Sequence, residues 1–416
     1  MSSELKSSKE YFWVIGGGIL QVPLIKEAND LNLQTLVTDG NPNCECIGLC
    51  DLFFELDIFD IDGHIKLYED RIKKLDINIL GVLAAGIDAH QTMAYLNKYL
   101  KLPGVSPEVS NLVSNKDLFR DKMVELGLEV PAFASISRND LPNLEKICKK
   151  IGFPLIIKNT SSSGSRGTKI FYESDPKEME RIALEAISVS RSKKALIESF
   201  WHGTEHTVET IFDINGKFHR CFITDRHFDK SNGYALETGL THPSQLSLDD
   251  QESMYKLAEN AARLFNINIG AAKFDMILTD SGPKIIEMTV RLSGGFDCQY
   301  LVPAATGKNI LKTAILTAIG KPFKKQYLTD NLKRFAVSES IWPQKGKIKE
   351  ISGLSKAKKI KGYENIFFRY DLGDVVEDYT DCTKRVCFII ASGDSIDDAR
   401  NAMSSIKNSV TILIED

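Results

Sequence analysis

The sequence lacks the long apolar segment that a membrane-spanning helix requires. Such a helix needs about 18 or more consecutive apolar residues, and no apolar run in these 416 residues approaches that length. The first ten residues, MSSELKSSKE, are polar and do not form the basic and then apolar pattern of a secretory signal. We therefore expect a cytoplasmic protein with no membrane partner.

The sequence also lacks a long basic run, and its formal net charge is −4. Proteins that bind nucleic acid or anionic lipid by electrostatics usually carry a basic patch, so we expect no nucleic acid partner. Eight cysteines are scattered through the chain, as is typical of reduced thiols. Cys44, Cys46 and Cys50 are clustered, but no fourth ligand lies at zinc-like spacing, and we interpret them as packing residues.

One glycine-rich segment lacks the residue that would complete a dinucleotide-binding motif. IGGGILQ, residues 15–21, follows a predicted strand, and Asp39 lies about 20 residues further on, as that motif requires. With Gly16 and Gly18 as the first two glycines, the third position holds Gln21 instead of Gly or Ala. We interpret the segment as a tight turn in an α/β sheet.

A second glycine-rich segment, TSSSGSRGT at residues 160–168, lacks the lysine that follows the second glycine of a P-loop. Two interpretations remain open for it. It is either an exposed hairpin loop, whose composition is common, or a loop whose backbone N–H groups surround phosphate oxygens.

Short apolar runs alternate with helical patterns in residues 11–112. The predicted strands are 11–15, 34–38 and 79–84, and the predicted helices are 19–31, 62–75 and 88–99. Strands and helices that alternate over short connections predict a parallel sheet with crossover helices.

The rest of the chain has the pattern of α+β structure. Helices are predicted at 114–126, 176–190, 249–265, 309–319 and 395–405, among strands that include 151–158, 169–172, 195–199 and 271–278. The polar, basic run 321–334 predicts a linker, and short strands with glycine turns follow it.

The segment KIIEMTVRLSGG, residues 284–295, places charged residues in a segment of strand-like composition. Side chains alternate between the two faces of a strand. One face would carry Glu287, Thr289 and Arg291. The other would carry the apolar side chains of Ile286, Met288 and Val290.

The preceding segment, residues 271–278, places Lys273 and Asp275 on one face of a second strand. If a three-residue loop, 280–282, closes the hairpin, Asp275 lies directly opposite Glu287. Opposed carboxylates destabilise a sheet, and a divalent cation such as Mg²⁺ with phosphate ligands would neutralise them. The alternative is ion pairs with Lys273 or Arg291 across an exposed face.

Several charged residues at strand ends surround the 160–168 loop. Lys158 ends an apolar run immediately before the loop, where its ammonium would meet a phosphate, and Glu198 ends another apolar run. Lys116 lies in the first turn of its predicted helix. A lone lysine at a strand end usually only extends into solvent, but this grouping favours a phosphate site.

Taken in order, these segments resemble the ATP-grasp superfamily. RLSGG at 291–295 and THPSQ at 241–245 are most similar to its L-amino acid ligase branch. The resemblance covers essentially the whole chain and implies an α/β and α+β protein with the ATP-grasp fold. It implies an N-terminal parallel α/β (pre-ATP-grasp) domain at 1–113, a nucleotide domain at 114–325 with a lid at about 155–200, and a C-terminal α+β cap at 326–416.

The resemblance also implies roles for the matched residues. The implied ATP contacts are Lys116, Lys158, Ser161, Ser162, Ser163, Gly164, Gly167, Glu198, Phe200, Trp201 and Glu205. The implied metal ligands are Asp275, Glu287 and Thr289, the last standing where the family often has Asn. The implied catalytic groups are Arg291, Gly294 and Gly295. Asp88, Arg226 and His242 are candidate substrate contacts, with ordinary loop residues as the alternative.

The reaction implied by the resemblance is amide formation. A substrate carboxylate attacks the γ-phosphate of ATP bound with Mg²⁺ or Mn²⁺, and a small-molecule amine then attacks the acyl-phosphate. The sequence contains no convincing Ser/His/Asp or Cys/His set, and none is required. The alternatives are a carboxylase or purine-type ligase that uses carboxyphosphate or formyl phosphate, a non-catalytic nucleotide-binding module, and a nicotinamide-dependent oxidoreductase. The sequence leaves the oligomeric state open, and the resemblance implies a homodimer, which is common in the family.

Overall fold

The N-terminal part of the computed structural model is a parallel sheet flanked by helices. The structure describes residues 9–161 and 164–415. The strands are β1 (Lys9–Ile15), β2 (Gln34–Asp39), β3 (Leu52–Glu55) and β4 (Ile77–Leu83), paired in parallel in the order β3-β2-β1-β4. The helices are α1 (Val22–Asp30), α2 (Ile61–Asp70) and α3 (His90–Leu100). The predicted parallel α/β class is confirmed, whereas the short edge strand β3 was not predicted.

Burial explains why the apolar run at residues 11–15 forms a strand. All of its side chains are buried, as expected for a central strand of a parallel sheet that is covered on both faces. The turn after β1 holds residues 18–21 and delays the first helix to Val22, with Pro23 in its first turn. This turn keeps Ile19 and Leu20 at the sheet's carboxyl edge.

Residues 133–199 form a smaller unit, here called the lid unit. After α4 (Pro107–Ser114) and α5 (Lys116–Glu125), it contains β5 (Phe133–Ile136), α6 (Leu144–Ile151), β6 (Leu155–Asn159), β7 (Lys169–Phe171), α7 (Pro176–Val189) and β8 (Ala195–Ser199). Its antiparallel strands have the order β5-β8-β6-β7, and it has its own apolar core. The segment predicted as a lid, 155–200, is the later part of this unit.

One large antiparallel sheet connects the middle and the end of the chain. Its first strands are β9 (Thr204–Phe212), β10 (Phe218–Asp229), β11 (Leu236–His242), β12 (Gly270–Thr279) and β13 (Gly282–Thr289). β14 (Phe335–Glu339), β16 (Tyr363–Phe368) and β18 (Cys387–Gly393) extend it in the order β13-β12-β9-β10-β11-β14-β18-β16. The C-terminal residues therefore continue the central sheet.

The remaining elements cover this sheet or form a small second one. The helices are α8 (Leu248–Leu264), α9 (Val302–Thr306), α10 (Ile310–Ala318), α11 (Leu354–Ala357) and α12 (Ile396–Ser409). The strands β15 (Gly346–Ser352), β17 (Val375–Val376) and β19 (Thr411–Glu415) pair in the order β17-β15-β19. Among the described residues, no helix is both long and apolar enough to cross a membrane.

The β12–β13 hairpin places Asp275 directly opposite Glu287, as predicted, but by a different route. Thr279 pairs with Gly282, so the turn has two residues rather than three. The pairing register contains a β-bulge between Asp275 and Met276, and this bulge places Asp275 opposite Glu287 despite the shorter turn. A bulge also redirects side chains.

The bulge corrects one predicted face of β13. Ile286 lines a cavity beside Glu287 instead of joining the apolar face. Ile285 takes its place in the core, where it packs in one cluster with Met288 and Val290.

Gly203 fixes the connection between the lid unit and the large sheet. It lies between β8 and β9 with φ of +156°, and a Cβ at this position would overlap the backbone carbonyl of Leu278 in β12. Only a residue without a side chain allows this close approach. Gly127 also has a positive φ, +70°, but a Cβ there would meet no atom within 4 Å.

We predict that Gly203→Ala destabilises the protein more than Gly127→Ala does. The control substitution adds only left-handed backbone strain, about 1–2 kcal/mol. Gly203→Ala also forces backbone atoms apart, and overpacking of this kind costs about 1–3 kcal/mol more. The free energies of unfolding in urea measure the difference, and equal values for the two variants would contradict the close approach.

Candidate active site

A cavity of about 840 Å³ is lined by residues from every part of the fold. The lid unit contributes Ile156 and Lys158, and the connection after it contributes Phe200 and Trp201; together with Ile286 they form what we call the lid wall. The phenylalanine wall consists of Ile19, Leu20, Phe296, Phe367 and Phe388. Charged side chains of β10, β12 and β13 line the cavity as well.

A buried ion-pair network supports the lid wall. The Glu198 carboxylate accepts from Arg120 Nε at 2.5 Å and also pairs with Lys158 Nζ. Burial alone would raise the pKa of Glu198, but Arg120 and Lys158 lower it to about 2. Burial lowers the pKa of Lys158 although Glu198 opposes this. Arg120 Nη2 also donates to the Ile286 carbonyl at 2.7 Å, which connects β8 to the bulged segment of β13.

Lys116 lies at the start of α5, where it contacts both the 160–168 loop and β13. Its backbone N–H donates to the Thr160 carbonyl at 2.7 Å. Its Nζ lies 3.2 Å from Glu287 Oε1. Glu205 also lines the cavity and pairs with Lys230 at 2.6 Å.

Asp275 stays ionised because cations surround it. Asp275 Oδ1 lies 2.6 Å from Lys273 Nζ and 2.8 Å from Arg226 Nη1. Burial would raise the pKa of Asp275, but Arg226 and Lys273 lower it to about 2. The pairing with Lys273 that we considered as an alternative is thus present, but inside the cavity rather than on an exposed face. Two opposed carboxylates remain available as hard oxygen ligands.

These residues fit a divalent cation that shares phosphate oxygens with them. Thr289 Oγ1 is buried, lies in the cavity wall and has no hydrogen-bond partner. No group of three or more His, Cys, Asp or Glu side chains with metal-site geometry occurs in residues 9–161 and 164–415. A cation at Asp275 and Glu287 would therefore take its other ligands from a substrate, as Mg²⁺ commonly does. Cys44, Cys46 and Cys50 form no such group either.

Residues that follow β4 of the N-terminal sheet hold Arg291 in place. Arg291 Nη2 lies 3.1 Å from Asp88 Oδ1, and Nη1 donates to the Leu292 carbonyl at 2.9 Å. That carbonyl also accepts from the Gly86 N–H at 3.2 Å. Asp88, predicted as a substrate contact, is thereby brought to Arg291. The carboxyl edge of the parallel sheet thus orients a guanidinium that lines the cavity.

The C-terminal part contributes charged groups that the sequence analysis did not assign to the site. Arg385 pairs with Glu237 Oε2 at 3.3 Å, and Glu237 Oε1 accepts from Arg226 Nε at 2.8 Å. Arg226 in turn contacts Asp275, so a chain of ion pairs extends from the C-terminal residues to the opposed carboxylates. The Cys382 N–H donates to the Gly164 carbonyl at 2.9 Å, which holds the glycine-rich loop. No local sequence signal marks these residues.

Four predicted residues do not line the cavity: Asp88, which contacts Arg291, and His242, Ser161 and Gly167. His242 ends β11 and is only 4% exposed; its Nδ1 lies 3.0 Å from the Ile223 carbonyl. Ser161 turns its hydroxyl toward the end of α7, where Oγ accepts from the Arg191 N–H at 2.7 Å. A Cβ at Gly167 would meet the backbone of Ala186 in α7. Ser162 and Ser163 lie outside the described residues.

The segment after β13 presents buried polar atoms that lack partners. Arg291, Ser293, Gly294, Gly295 and Asp297 line the cavity. Arg291 Nε, Ser293 Oγ and Asp297 Oδ1 are buried without a hydrogen bond in the structure. Buried polar groups are nearly always satisfied, so this concentration is typical of a surface that binds a polar ligand.

Comparison with known proteins identifies the family. Residues 115–326, just over half of the chain, match the family described as the carbamoyl-phosphate synthase L chain, ATP-binding domain. Residues 340–415 match the L-amino acid ligase C-terminal domain 2. The chain is an ATP-grasp ligase. Enzymes of these families form carbon–nitrogen bonds, and the resemblance inferred from the ordered motifs is confirmed.

The ligase is similar to several individual proteins. An uncharacterized protein, y4rH, of Sinorhizobium fredii is 24% identical over 340 residues, 81% of this chain and 68% of that protein. Human carnosine synthase 1 is 21% identical over 337 residues, 76% of this chain but 40% of that protein. The crystal structure of L-amino acid ligase from Bacillus licheniformis matches with a TM-score of 0.82 at 21% identity, covering 98% of this chain and all of that one.

One buried carboxyl of the ligase lies behind the Ser293 segment. Glu209 of β9 is completely buried, and its Oε2 accepts from the Ser293 N–H at 2.9 Å. Burial raises the pKa of Glu209 to about 7, although Ser293 and Lys273 oppose this. In the unfolded chain the group ionises near its ordinary pKa of 4.5. Between these two pKa values, folding is therefore accompanied by the uptake of a proton at Glu209. The free energy of unfolding falls as the pH rises through this range.

We predict that Glu209→Gln reduces the loss of stability between about pH 4.5 and pH 8. The difference between the two pKa values of Glu209 corresponds to about 3 kcal/mol. The wild type loses up to this amount across the range, whereas the variant has no proton to lose at this position. Urea unfolding at several pH values measures both curves, and parallel curves would show that Glu209 is already ionised in the folded state.

Proposed function

We propose that the protein is an ATP-dependent carboxylate–amine ligase that forms an amide bond through an acyl-phosphate and releases ADP and phosphate. The observation that carries this proposal is the arrangement along β13 and the residues after it. The opposed carboxylates Asp275 and Glu287 lie between the lysines of the lid side and the unpartnered donors of Arg291 and Ser293. A phosphoryl donor and an acceptor would meet there.

The lid wall is suited to a nucleotide. Ile156, Phe200, Trp201 and Ile286 provide apolar surface for a purine ring. The Glu205 carboxylate could accept hydrogen bonds from ribose hydroxyls. Lys116 and Lys158 would contact phosphate oxygens, and the loop around Gly164 would cover them. The network at Glu198 fixes Lys158 in place before any ligand arrives, so little reorganisation is required.

Asp275 and Glu287 would hold Mg²⁺, with Thr289 beside them in the cavity wall. When bound, the cation neutralises the β- and γ-phosphate charge and favours phosphoryl transfer. Lys273, Arg226 and Lys116 now contact these carboxylates. As the ligands enter, these three cations would exchange the carboxylates for phosphate oxygens as their partners. This exchange keeps the buried charges balanced throughout.

In the first step, a carboxylate oxygen of one substrate attacks the γ-phosphorus of ATP, and the bond to the β,γ-bridging oxygen breaks to release ADP. Arg291 faces the transferred group, and Asp88 fixes the plane of its guanidinium. Gly294 and Gly295 line the same wall, and their backbone N–H groups would act as further donors. Fixed donors of this kind stabilise charge that develops in the transition state.

In the second step, a neutral amine attacks the acyl carbon, phosphate leaves with the bonding electrons, and the nitrogen loses a proton. No side chain of the protein forms a covalent bond. Positioning of the two substrates inside the cavity supplies most of the rate increase. The similarity to proteins named L-amino acid ligase and carnosine synthase 1 supports amino acids as substrates.

Phosphate release from ATP and Mg²⁺ tests the proposal directly. The purified protein is assayed with pairs of L-amino acids and with small carboxylic acids plus amines, in buffer free of bicarbonate. We expect release that requires both a carboxylate and an amine, with an amide product in the mass spectrum. Release that requires bicarbonate and no amine would instead support the carboxylase reading. The expected homodimer stays a prediction, checked by light scattering.

We predict that Arg291→Ala lowers kcat by at least about 100-fold, because a donor to the developing charge is removed. ATP affinity should change little, since the lid wall and its lysines are intact. The control is Arg263→Ala, which removes an exposed arginine that pairs with Glu259 on α8 and lies over the Phe212 ring, away from the cavity. Steady-state rates and ATP titrations measure both effects. An Arg291→Ala variant with the kcat of the control would exclude the proposed role.

A further inference from the structure

Asp297 is a buried carboxyl in the cavity wall that the proposed reaction does not use. It begins the helical turn Asp297–Leu301, immediately after Phe296. It is 3% exposed, and its Oδ1 has no hydrogen-bond partner. Burying a carboxyl oxygen without a partner costs free energy. A cavity wall that retains such a group is suited to a ligand that supplies the missing hydrogen-bond donor.

The other buried carboxyls that line the cavity already have cationic partners. Glu198 pairs with Arg120 and Lys158, and Glu237 pairs with Arg226 and Arg385. Asp297 makes no ion pair with any residue in 9–161 and 164–415. Burial, with the Glu237 charge in addition, raises the pKa of Asp297 well above its usual value. A cation brought by a ligand would favour the ionised form.

The surface next to Asp297 is apolar and aromatic. The Phe296 ring stacks on Phe367 with centroids 4.1 Å apart and meets Phe388 edge-on at 5.1 Å. Ile19 and Leu20 of the N-terminal turn pack against the same cluster. All five residues line the cavity. An ammonium group beside an apolar side chain would match this combination of one carboxyl and the phenylalanine wall.

We propose that Asp297 binds the ammonium group of the amino acid whose carboxylate is phosphorylated, and that the phenylalanine wall accepts an apolar side chain of that amino acid. This inference rests on the proposed ligase function and specifies one of its two substrates. Arg291, six residues earlier in the same wall, would face the carboxylate.

The chemistry of the two steps decides which substrate has the ammonium. The attacking amine must be neutral, because a protonated nitrogen has no free electron pair. The amino group of the activated amino acid must instead stay protonated, or it would attack acyl-phosphates itself. A carboxylate in a site of low polarity holds the protonated form. Asp297 therefore suits the activated substrate.

The test uses hydroxylamine as the acceptor, so that each activated acid is trapped as a hydroxamate. The acids are L-leucine and L-phenylalanine, each compared with its analogue without the amino group, isocaproate and phenylpropanoate. The proteins are the wild type, Asp297→Asn and Asp249→Asn. The last removes an exposed carboxylate in the first turn of α8, a residue that does not line the cavity, and serves as the control.

We expect the wild type and Asp249→Asn to prefer the amino acids by about 100-fold in kcat/KM, as expected for a charge-assisted contact of about 3 kcal/mol. Asp297→Asn should lose most of that preference through a higher KM for the amino acids. Its rates with the analogues and its affinity for ATP should be unchanged. Hydroxylamine is already neutral when it attacks the acyl-phosphate. A loss of preference measured with hydroxylamine therefore reports on binding of the substrate's ammonium group and not on deprotonation of the attacking amine.

Three results would overturn this inference while leaving the ligase function intact. One is a wild type that uses each amino acid and its analogue equally, a comparison that needs no folded variant. Another is Asp297→Asn with the preference of the wild type. The third is a wild type that activates only polar amino acids, which would contradict the apolar pocket. If no amino acid or acid supports ATP turnover, the proposed function itself fails.

Discussion

The site depends on one buried carboxylate, that of Glu198, which joins segments far apart in the chain. Arg120 from α5 and Lys158 from β6 both pair with it, and Arg120 also holds the Ile286 carbonyl of β13. Removing one partner of a buried ion pair leaves an uncompensated charge, which is strongly destabilising. Strands β6 and β8 of the lid unit, helix α5 and the bulged strand therefore keep a fixed relation to one another. The position of Glu287 follows from that relation.

Charge balance extends from this network across the cavity. Asp275 and Glu287 oppose one another, and such a pair is tolerated only with cations nearby. Lys273, Arg226 and Lys116 provide them, and Glu237 and Arg385 continue the chain into the C-terminal strands. The proposed binding of phosphates would thus need little reorganisation, because the cations are already in place and need only exchange partners. Such preorganisation lowers the cost of reaching a charged transition state.

The sequence was informative where the determining interactions are local. The α/β alternation and the opposition of Asp275 and Glu287 follow from periodicity and a nearby turn, although a bulge at Ile286 replaced the expected loop length. Arg120, Arg385 and Asp297 could not be recognised, because their partners are brought by tertiary structure. The direction of the Ser161 hydroxyl, and the burial of His242, likewise depend on packing against α7 and Phe222.

The residues suited to phosphate chemistry lie in one matched segment, whereas those suited to selecting a substrate come from several parts of the chain. The lysines, the opposed carboxylates and Arg291 all lie within the segment that matches the ATP-binding domain, residues 115–326. Phe367, Phe388 and Arg385 lie in the segment that matches the L-amino acid ligase C-terminal domain 2, residues 340–415. Because β14 pairs with β11 in one sheet, these two sets of residues are held rigidly together. Substitutions of Phe367 or Phe388 can therefore reshape the phenylalanine wall without moving the charged groups that we propose to contact phosphates.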